Sequence, residues 1–160
     1  LLAPETDEIS EPCEVSPTLS DLLKVENIQT DVKILNYEEG IKIAAEPLLD
    51  RDIIQESYLN QLLVDYNDGK LMQLTDLFCM PHTSDTGGNQ LGMSLVVLDE
   101  PFLVNNQVKV KYILLLSAPK SSIHLLAMNQ LLKFLSSQDF FETLNHCSPK
   151  EIHKYILENQ

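Results

Sequence analysis

The chain has 160 residues, 44% of them hydrophobic, and a formal net charge of −13. This length fits one globular domain, and no apolar run approaches the roughly 20 residues that a membrane span needs, so we expect no membrane insertion. Because 24 acidic side chains outnumber 11 basic ones, direct contact with nucleic acid is not expected, since phosphate contacts require clustered lysine and arginine. A basic protein partner and a simple need for solubility explain the acidity equally well.

The cysteines indicate a reducing compartment. Cys13, Cys79 and Cys147 are odd in number, widely spaced and free of any Cys-x-x-Cys pair, which argues against a disulfide framework and favours a cytoplasmic location. Two pairs, Cys79 with His82 and His146 with Cys147, have ligand residue types but not the paired spacing of a zinc ribbon or finger. We therefore predict no metal site and no cofactor.

The N-terminal segment differs in composition from the rest of the chain. Residues 1–18 carry five acidic residues and three prolines but no lysine or arginine, which predicts an acidic linker or disordered tail. The folded domain is then residues 19–160. It opens with a helical turn at Asp21–Leu23 and with a half-buried strand at Ile28–Ile34, where apolar and polar residues alternate.

Two helices are predicted next. Asn36 followed by Glu39 indicates the start of the first, which Pro47 should weaken near its end. Apolar residues at helical spacing around Tyr58 predict the second helix, and residues 67–69, Asn-Asp-Gly, end it.

Strands and helices follow in the second half of the chain. Residues 71–80 are expected to be extended or irregular. Gly92–Leu98 and Val108–Leu116 predict buried strands, joined through residues 99–101 and a turn at Asn105–Asn106. Ser121 or Ser122 should cap a long helix that reaches Leu135 and is apolar almost all round, so that we expect it to be heavily buried. The last predicted elements are a short helix over residues 139–144 and a final helix that a capping box opens at Ser148–Glu151. The fold class is α/β.

Two histidines are placed where chemistry is possible. His82 follows Met80–Pro81 just past a strand end, and a neutral imidazole is available there as a nucleophile. His124 lies in the first turn of the long helix, where free N–H groups favour a phosphoryl group or another anion. Spacing alone leaves open that these two are unrelated, and we interpret His146 and His153 as surface residues.

Over residues 19–160 the chain resembles the fructose/mannitol-type EIIA domain of the bacterial sugar phosphotransferase system. The matching segments, in chain order, are Leu19–Leu23, Glu26–Ile28, Tyr58–Leu59, Leu62–Leu63, Met80–His82, Leu98–Pro101, Val108, Leu114–Pro119 and His124–Leu125. The resemblance implies a mixed β-sheet with helices packed on both faces. It also implies that His82 accepts a phosphoryl group from phosphorylated HPr, with His124 as the supporting histidine. Ser121, Ser122, Thr83 and Lys70 are then the candidates for binding the phosphoryl group.

The chain departs from the family pattern at two places. About sixteen residues before the acceptor the family usually has an arginine, and that register places Tyr66 here. Loss of the guanidinium should slow transfer, because it would stabilise charge on the phosphoryl oxygens, and Lys70 would substitute in part. Small apolar residues before the Pro-His pair are replaced by Cys79 and Met80, which changes the docking surface.

This drift is similar to that of EIIA-like domains at the C-terminus of PRD-containing transcriptional regulators. The leading hypothesis is therefore a sensing module in which phosphorylation of His82 alters contacts with neighbouring regulator domains. A second hypothesis is a transport subunit that passes the phosphoryl group to the cysteine of an EIIB domain. A third is a degenerate module that docks HPr or EIIB without phosphorylation, and so whether the domain is an enzyme stays open.

Overall fold

The computed structural model describes residues 16–81, 83, 88–119 and 123–160. Most of the predicted linker, residues 1–15, lies outside the described residues. The helices, in chain order, are α1 Leu19–Leu22, α2 Tyr37–Asp50, α3 Glu56–Asn67, α4 Leu125–Phe134, α5 Gln138–His146 and α6 Pro149–Asn159. The strands are β1 Ile28–Val32, β2 Gln73–Thr75, β3 Leu77–Cys79, β4 Gly92–Val104 and β5 Val108–Ser117.

The five strands form one mixed sheet in the order β1-β4-β5-β3-β2. Strands β4 and β5 are an antiparallel hairpin, β1 runs parallel to β4, and β2 runs antiparallel to β3. Strand β3 pairs in parallel with β5, and Cys79 lies beside Ile113. The predicted α/β fold with a mixed sheet is confirmed.

Helices cover both faces of this sheet. Successive residues of a strand point to opposite faces, and Leu114 of β5 packs in a core with α1, α4, α5 and α6. Its neighbours Ile113 and Leu115 pack in a second core with α2 and α3. The apolar run of β5 is continuous because both of its faces are buried.

The hairpin β4–β5 is longer than predicted. Residues 99–101, expected to be a connection, lie inside β4, and the pairing register shifts between Val97 and Phe102. A bulge of this kind accommodates Pro101, which has no N–H to donate to the ladder. The predicted turn is confirmed, since Asn105 and Asn106 have φ of 56° and 59°, as the favoured two-residue hairpin turn requires.

The other strand predictions need small corrections. Residues 71–80 are not irregular throughout, because β2 and β3 form a short antiparallel hairpin. Strand β1 ends at Val32, two residues before the predicted end.

Pro47 does not end α2, which continues to Asp50. A proline inside a helix leaves the carbonyl four residues earlier without its usual donor. That carbonyl belongs to Ile43, and the side-chain amide of Gln29 donates to it at 2.8 Å. A tertiary hydrogen bond from β1 therefore replaces the lost helical one.

Two of the predicted helix starts are confirmed by their caps. The Asn36 side chain accepts from the backbone N–H of Glu39, and Ser148 forms a capping box with Glu151. Thr18 forms a similar box with Asp21 at the start of α1. Local hydrogen bonds of this kind link sequence to helix position directly.

The prediction for α4 was wrong in extent and in burial. The helix begins at Leu125, with His124 as its N-cap residue, and the predicted caps Ser121 and Ser122 lie outside the described residues. Leu125 and Leu132 are 54% and 48% exposed, because the sheet and α1 cover only the side of α4 that carries Ala127, Leu131 and Phe134. In the described part of the chain, no helix is both long and apolar enough to cross a membrane.

Helix α6 allows a matched test of this packing. Ile152 is fully buried and Leu157, on the same helix, is 56% exposed. We expect Ile152→Ala to lower the free energy of unfolding by about 2–5 kcal/mol, because it leaves a cavity in the core. Leu157→Ala should change it by no more than about 0.5 kcal/mol. Urea unfolding of both variants measures the difference, and equal effects would contradict the assignment of the two helix faces.

Candidate functional site

The parallel pairing of β3 with β5 brings the chain segments that follow both strands to one edge of the sheet. Strand β3 ends at Cys79 and leads through the buried Met80 and Pro81 to position 82. His82 itself lies outside the described residues. Thr83, the residue after it and a predicted phosphoryl-binding candidate, is buried. We call this edge the β3/β5 edge, defined by Met80, Pro81, Thr83 and the end of β5 at Ser117.

His124 follows β5 in the chain, beyond Ala118 and Pro119. It is the N-cap residue of α4 and makes no side-chain capping hydrogen bond. Its Nδ1 atom is buried and, within the part of the chain that the structure describes, has no hydrogen-bond partner. A buried polar atom without a partner is costly and is found chiefly where a bound group or water engages it.

Hydrogen bonds hold the segment Gly88–Gln90 beside the end of β5. The backbone N–H groups of Asn89 and Gln90 both donate to the carbonyl of Ile53, at 2.8 and 3.1 Å. The hydroxyl of Ser117 donates to the carbonyl of Gln90 at 2.6 Å. A Cβ atom at Gly88 would lie 1.9 Å from Ser117 Oγ, so this close approach requires glycine.

Tyr58 ties the start of α3 to the same edge. Its hydroxyl donates to the carbonyl of Leu116 at 2.8 Å, one residue before β5 ends. The sequence predicted Tyr58 only as a residue of an apolar helix face. Tyrosine suits this place because its ring is buried while its hydroxyl reaches a backbone acceptor.

Lys70 approaches the edge from the other side of β3. Strand β2 is antiparallel to β3, and the N–H of Met80 donates to the carbonyl of Met72 at 3.0 Å. Residues before Met72 therefore lie at the same edge as residues after Met80. The Lys70 ammonium is 3.8 Å from Oδ1 of Asp65.

Asp65 is a site residue that the sequence analysis missed. It is 4% exposed, and the side-chain amide of Gln61 donates to its Oδ1 at 3.0 Å. Tyr58, Leu62 and Asp65 occur at i, i+4 and i+7, so Asp65 occupies a core-facing position of α3. A carboxylate at such a position was the available signal, because buried charges are rarely left unpaired.

Tyr66, in the register of the family arginine, packs against another tyrosine. Its ring centroid is 4.8 Å from that of Tyr37. Burial raises the pKa of Tyr66, and the Glu38 carboxylate adds to the rise, so the phenol stays neutral at neutral pH. It provides none of the positive charge that a guanidinium would.

The one arginine of the sequence is engaged elsewhere. Arg51 Nη1 donates to Oδ1 of Asn27 at 2.7 Å and to the carbonyl of Pro47 at 3.1 Å. The Asn27 amide in turn donates to the carbonyl of Met93. Arg51 thus connects the end of α2 to the start of β4.

The remaining histidines and cysteines have structural surroundings. His146 is exposed, as predicted, beside Glu142. His153 was wrongly assigned to the surface: it is half-buried, and its Nε2 lies 3.0 Å from the carbonyl of Ser20, because α6 packs against α1. Burial raises the pKa of the Cys79 thiol to about 11, with a small opposing effect of the Tyr37 hydroxyl. Nowhere among the described residues do three or more His, Cys, Asp or Glu side chains gather in a way that could hold a metal ion.

The mixed sheet, the helices on both of its faces and a histidine in the segment that follows β5 define the class as an EIIA-like α/β domain. Residues 21–159 match the sequence profile of the family described as "Phosphoenolpyruvate-dependent sugar phosphotransferase system, EIIA 2". The chain belongs to this family.

Individual relatives agree with this assignment. The mannitol-specific cryptic phosphotransferase enzyme IIA component of Escherichia coli is 28% identical over 130 residues, which cover 79% of this chain and 88% of the relative. The solution structure of the Escherichia coli mannitol-specific cryptic enzyme IIA has a TM-score of 0.75 and 26% identity, and the match covers 89% and 99% of the two chains. A complex of Escherichia coli mannitol enzyme IIA with phosphorylated enzyme IIB matches with a TM-score of 0.72 and 19% identity, over 85% and 97%.

The contact between Gly88 and Ser117 yields a test of the edge. Gly88→Ala should lower the free energy of unfolding by about 1–3 kcal/mol, because the new methyl group overlaps Ser117 Oγ. In a Ser117→Ala background the loss should be smaller, since the nearest overlapping atom is gone. Urea unfolding of the two single variants and the double variant measures this coupling. Strictly additive losses would contradict the contact.

The Cys79 thiol yields a pH prediction. It keeps its proton up to a pKa of about 11, whereas an unperturbed thiol has the value 9.0. A group with a raised pKa in the folded state contributes stability that is lost as pH rises from the unfolded to the folded value, so the free energy of unfolding should fall from about pH 9 upward. The loss should reach about 1 kcal/mol near pH 10. Urea unfolding at about pH 8, 9 and 10 should show a shallower fall for Cys79→Ala, with Cys147→Ala as the control. If the free energy of unfolding fell as steeply with pH in Cys79→Ala as in the wild type, the raised pKa of the Cys79 thiol would be contradicted.

Proposed function

We propose that the domain accepts a phosphoryl group on His82 from phosphorylated HPr, with His124 as the supporting histidine. The observation that carries the proposal is the parallel pairing of β3 with β5, which leads the chain after Pro81 and the chain before His124 to one edge. Family membership supports it, as does the buried Nδ1 of His124, which has no hydrogen-bond partner among the described residues.

The transfer requires little from the protein beyond a nucleophile and charge stabilisation. The lone pair of an unprotonated His82 nitrogen forms a new P–N bond, while the P–N bond of the donor histidine breaks and the donor imidazole leaves with that electron pair. The phosphoryl group carries its three oxygens across, and each ring keeps the proton on its other nitrogen during the step. Positioning and electrostatic stabilisation of the oxygens then determine the rate.

Several groups of the chain would serve the phosphoryl oxygens in this proposal. The first N–H groups of α4 lie next to His124, and a helix N-terminus attracts negative charge. The hydroxyls of Thr83, Ser121 and Ser122 would add hydrogen bonds, and Lys70 would supply the positive charge that Tyr66 lacks. No cofactor or metal enters this scheme.

The proposed biological role is a cytoplasmic sensing module at the C-terminus of a PRD-containing transcriptional regulator. Tyr66 in the register of the family arginine suits a signal, which tolerates slower transfer than sugar transport does. The added phosphoryl charge would alter contacts with neighbouring regulator domains. The acidic composition of residues 1–18 is consistent with an interdomain linker.

A transport subunit is the second candidate function. It is favoured by the structural match to the Escherichia coli mannitol enzyme IIA solved with phosphorylated enzyme IIB. In this case the domain would pass the phosphoryl group to a cysteine of an EIIB domain. A docking module that binds HPr or EIIB without phosphorylation is the third candidate.

Phosphorylation of the purified domain tests the proposal. After incubation with phosphoenolpyruvate, enzyme I and HPr, we expect one acid-labile phosphoryl group by intact mass. His82→Ala should abolish it, because the nucleophile is gone. His124→Ala should slow its appearance by about 100-fold, the lower end of the range for loss of one acid–base group, without preventing it.

The controls separate the three candidates. His146→Ala, which changes an exposed histidine on α5, should label like the wild type. Rapid loss of the label to an added mannitol-type EIIB domain would favour the transport subunit over the sensing module. Absence of label on the wild type, or label retained in His82→Ala, would overturn the acceptor assignment, and absence of label would leave the docking module.

A further inference from the structure

We propose that Asp65 is a positioning residue that holds the Lys70 ammonium at the β3/β5 edge, so that an Asp65–Lys70 pair replaces the family arginine. This inference rests on the proposed function, since it concerns the same phosphoryl transfer. Asp65 was not among the residues predicted for the site, and its carboxylate explains the position of the Lys70 ammonium.

The backbone at the end of α3 holds Lys70 close to Asp65. Asn67 is the last residue of α3, and the helix ends with Gly69 in the left-handed region, φ 92°. The N–H of Gly69 donates to the carbonyl of Tyr66 at 2.9 Å, and the N–H of Lys70 donates to the carbonyl of Asp65 at 3.0 Å. This pair of hydrogen bonds is a Schellman motif, in which the sixth residue returns to the first. The separation of the two residues is therefore determined by the helix end.

The topology places this helix end at the β3/β5 edge. Lys70 precedes Met72 by two residues, and the carbonyl of Met72 accepts from the N–H of Met80, two residues before position 82. Because β2 and β3 are antiparallel, the chain before Met72 and the chain after Met80 leave the hairpin at the same end. A cation on Lys70 is thus available to a phosphoryl group carried just beyond Pro81.

The charges at the two ends of the pair are exposed very differently. The side chain of Asp65 is 6% exposed and that of Lys70 is 66% exposed. A buried carboxylate requires hydrogen bonds and a counter-charge, and the partners of Asp65 include Gln61 at 3.0 Å and Lys70 at 3.8 Å. The carboxylate is consequently the rigid partner, while the ammonium keeps a solvent-facing side.

An anchored ammonium can do part of the work of an arginine. It is a compact charge with three donors and lacks the planar fork of a guanidinium, so it stabilises phosphoryl oxygens without fixing their orientation. Holding the flexible lysine stem near the edge reduces the conformational freedom that it must lose when it meets the phosphoryl group. Without Asp65 the same lysine would be one of several mobile surface charges.

The test measures the rate of labelling from phosphorylated HPr in the intact domain. Lys70→Met should slow labelling about 100-fold, at the lower end of the range for loss of one electrostatic group, and Lys70→Arg should retain the wild-type rate or exceed it. Asp65→Asn keeps the size and the hydrogen bond from Gln61, and it should slow labelling several-fold. In the Lys70→Met background, Asp65→Asn should have no further effect. Lys109→Met, which changes an exposed lysine on β5 near the opposite edge of the sheet, is the matched control and should label normally.

The other outcomes overturn the inference in distinguishable ways. Normal labelling by Lys70→Met excludes Lys70 from the transfer and leaves the acceptor assignment intact. Asp65 has a purely structural role if Asp65→Asn slows labelling by the same factor in the wild-type and the Lys70→Met backgrounds. Loss of cooperative thermal unfolding in Asp65→Asn would lead to the same conclusion. A wild-type domain that takes no label at all contradicts the proposed function and this inference together.

Discussion

The parallel pairing of β3 with β5 is the constraint on which the rest of the structure depends. Parallel strands cannot be joined by a tight turn, and here the chain leaves β3, forms the start of β4 on the other side of β5, and returns along β5. Both chain segments that follow a parallel pair then emerge at the same edge. A slip of one residue in this register would exchange Phe78 and Cys79 between the two cores, because these neighbours face opposite sides of the sheet.

The segments that follow β3 and β5 have features that folding alone does not favour. His124 buries a nitrogen that has no partner in the described residues, Gly88 leaves no room for a side chain, and Leu125 is half-exposed in the first turn of α4. Each of them lowers stability or restricts the sequence. Local conflicts with packing of this kind are expected at functional sites.

The electrostatics of the edge also separate this chain from the pattern that it resembles. Tyr66 is a neutral phenol whose ring packs at a tilt against that of Tyr37, and Arg51 donates a hydrogen bond to Asn27, which precedes β1. Lys70 lies 3.8 Å from the buried Asp65 carboxylate, which partly neutralises its charge. The family fold is thus retained without an arginine in the register of Tyr66.

Local hydrogen bonds explain what the sequence by itself determined. The turn at Asn105–Asn106, the cap at Asn36 and the capping box at Ser148 were all predicted, because each depends on a few adjacent residues. The alternation and apolar runs of the strands likewise predicted the α/β class, and the resemblance supplied His82 and His124 as site candidates.

Only the tertiary structure decided what covers each face. The apolar residues of α4 predicted that the helix would be heavily buried. The sequence of a helix does not show how much of its surface the neighbouring elements will cover, and Leu132 remains exposed. Pro47 was expected to weaken α2, because the sequence does not show that Gln29, on β1, donates to the Ile43 carbonyl that the proline leaves without a helical donor. Asp65 was missed for the same reason: its meaning comes from burial and from the approach of Lys70, which a sequence pattern does not contain.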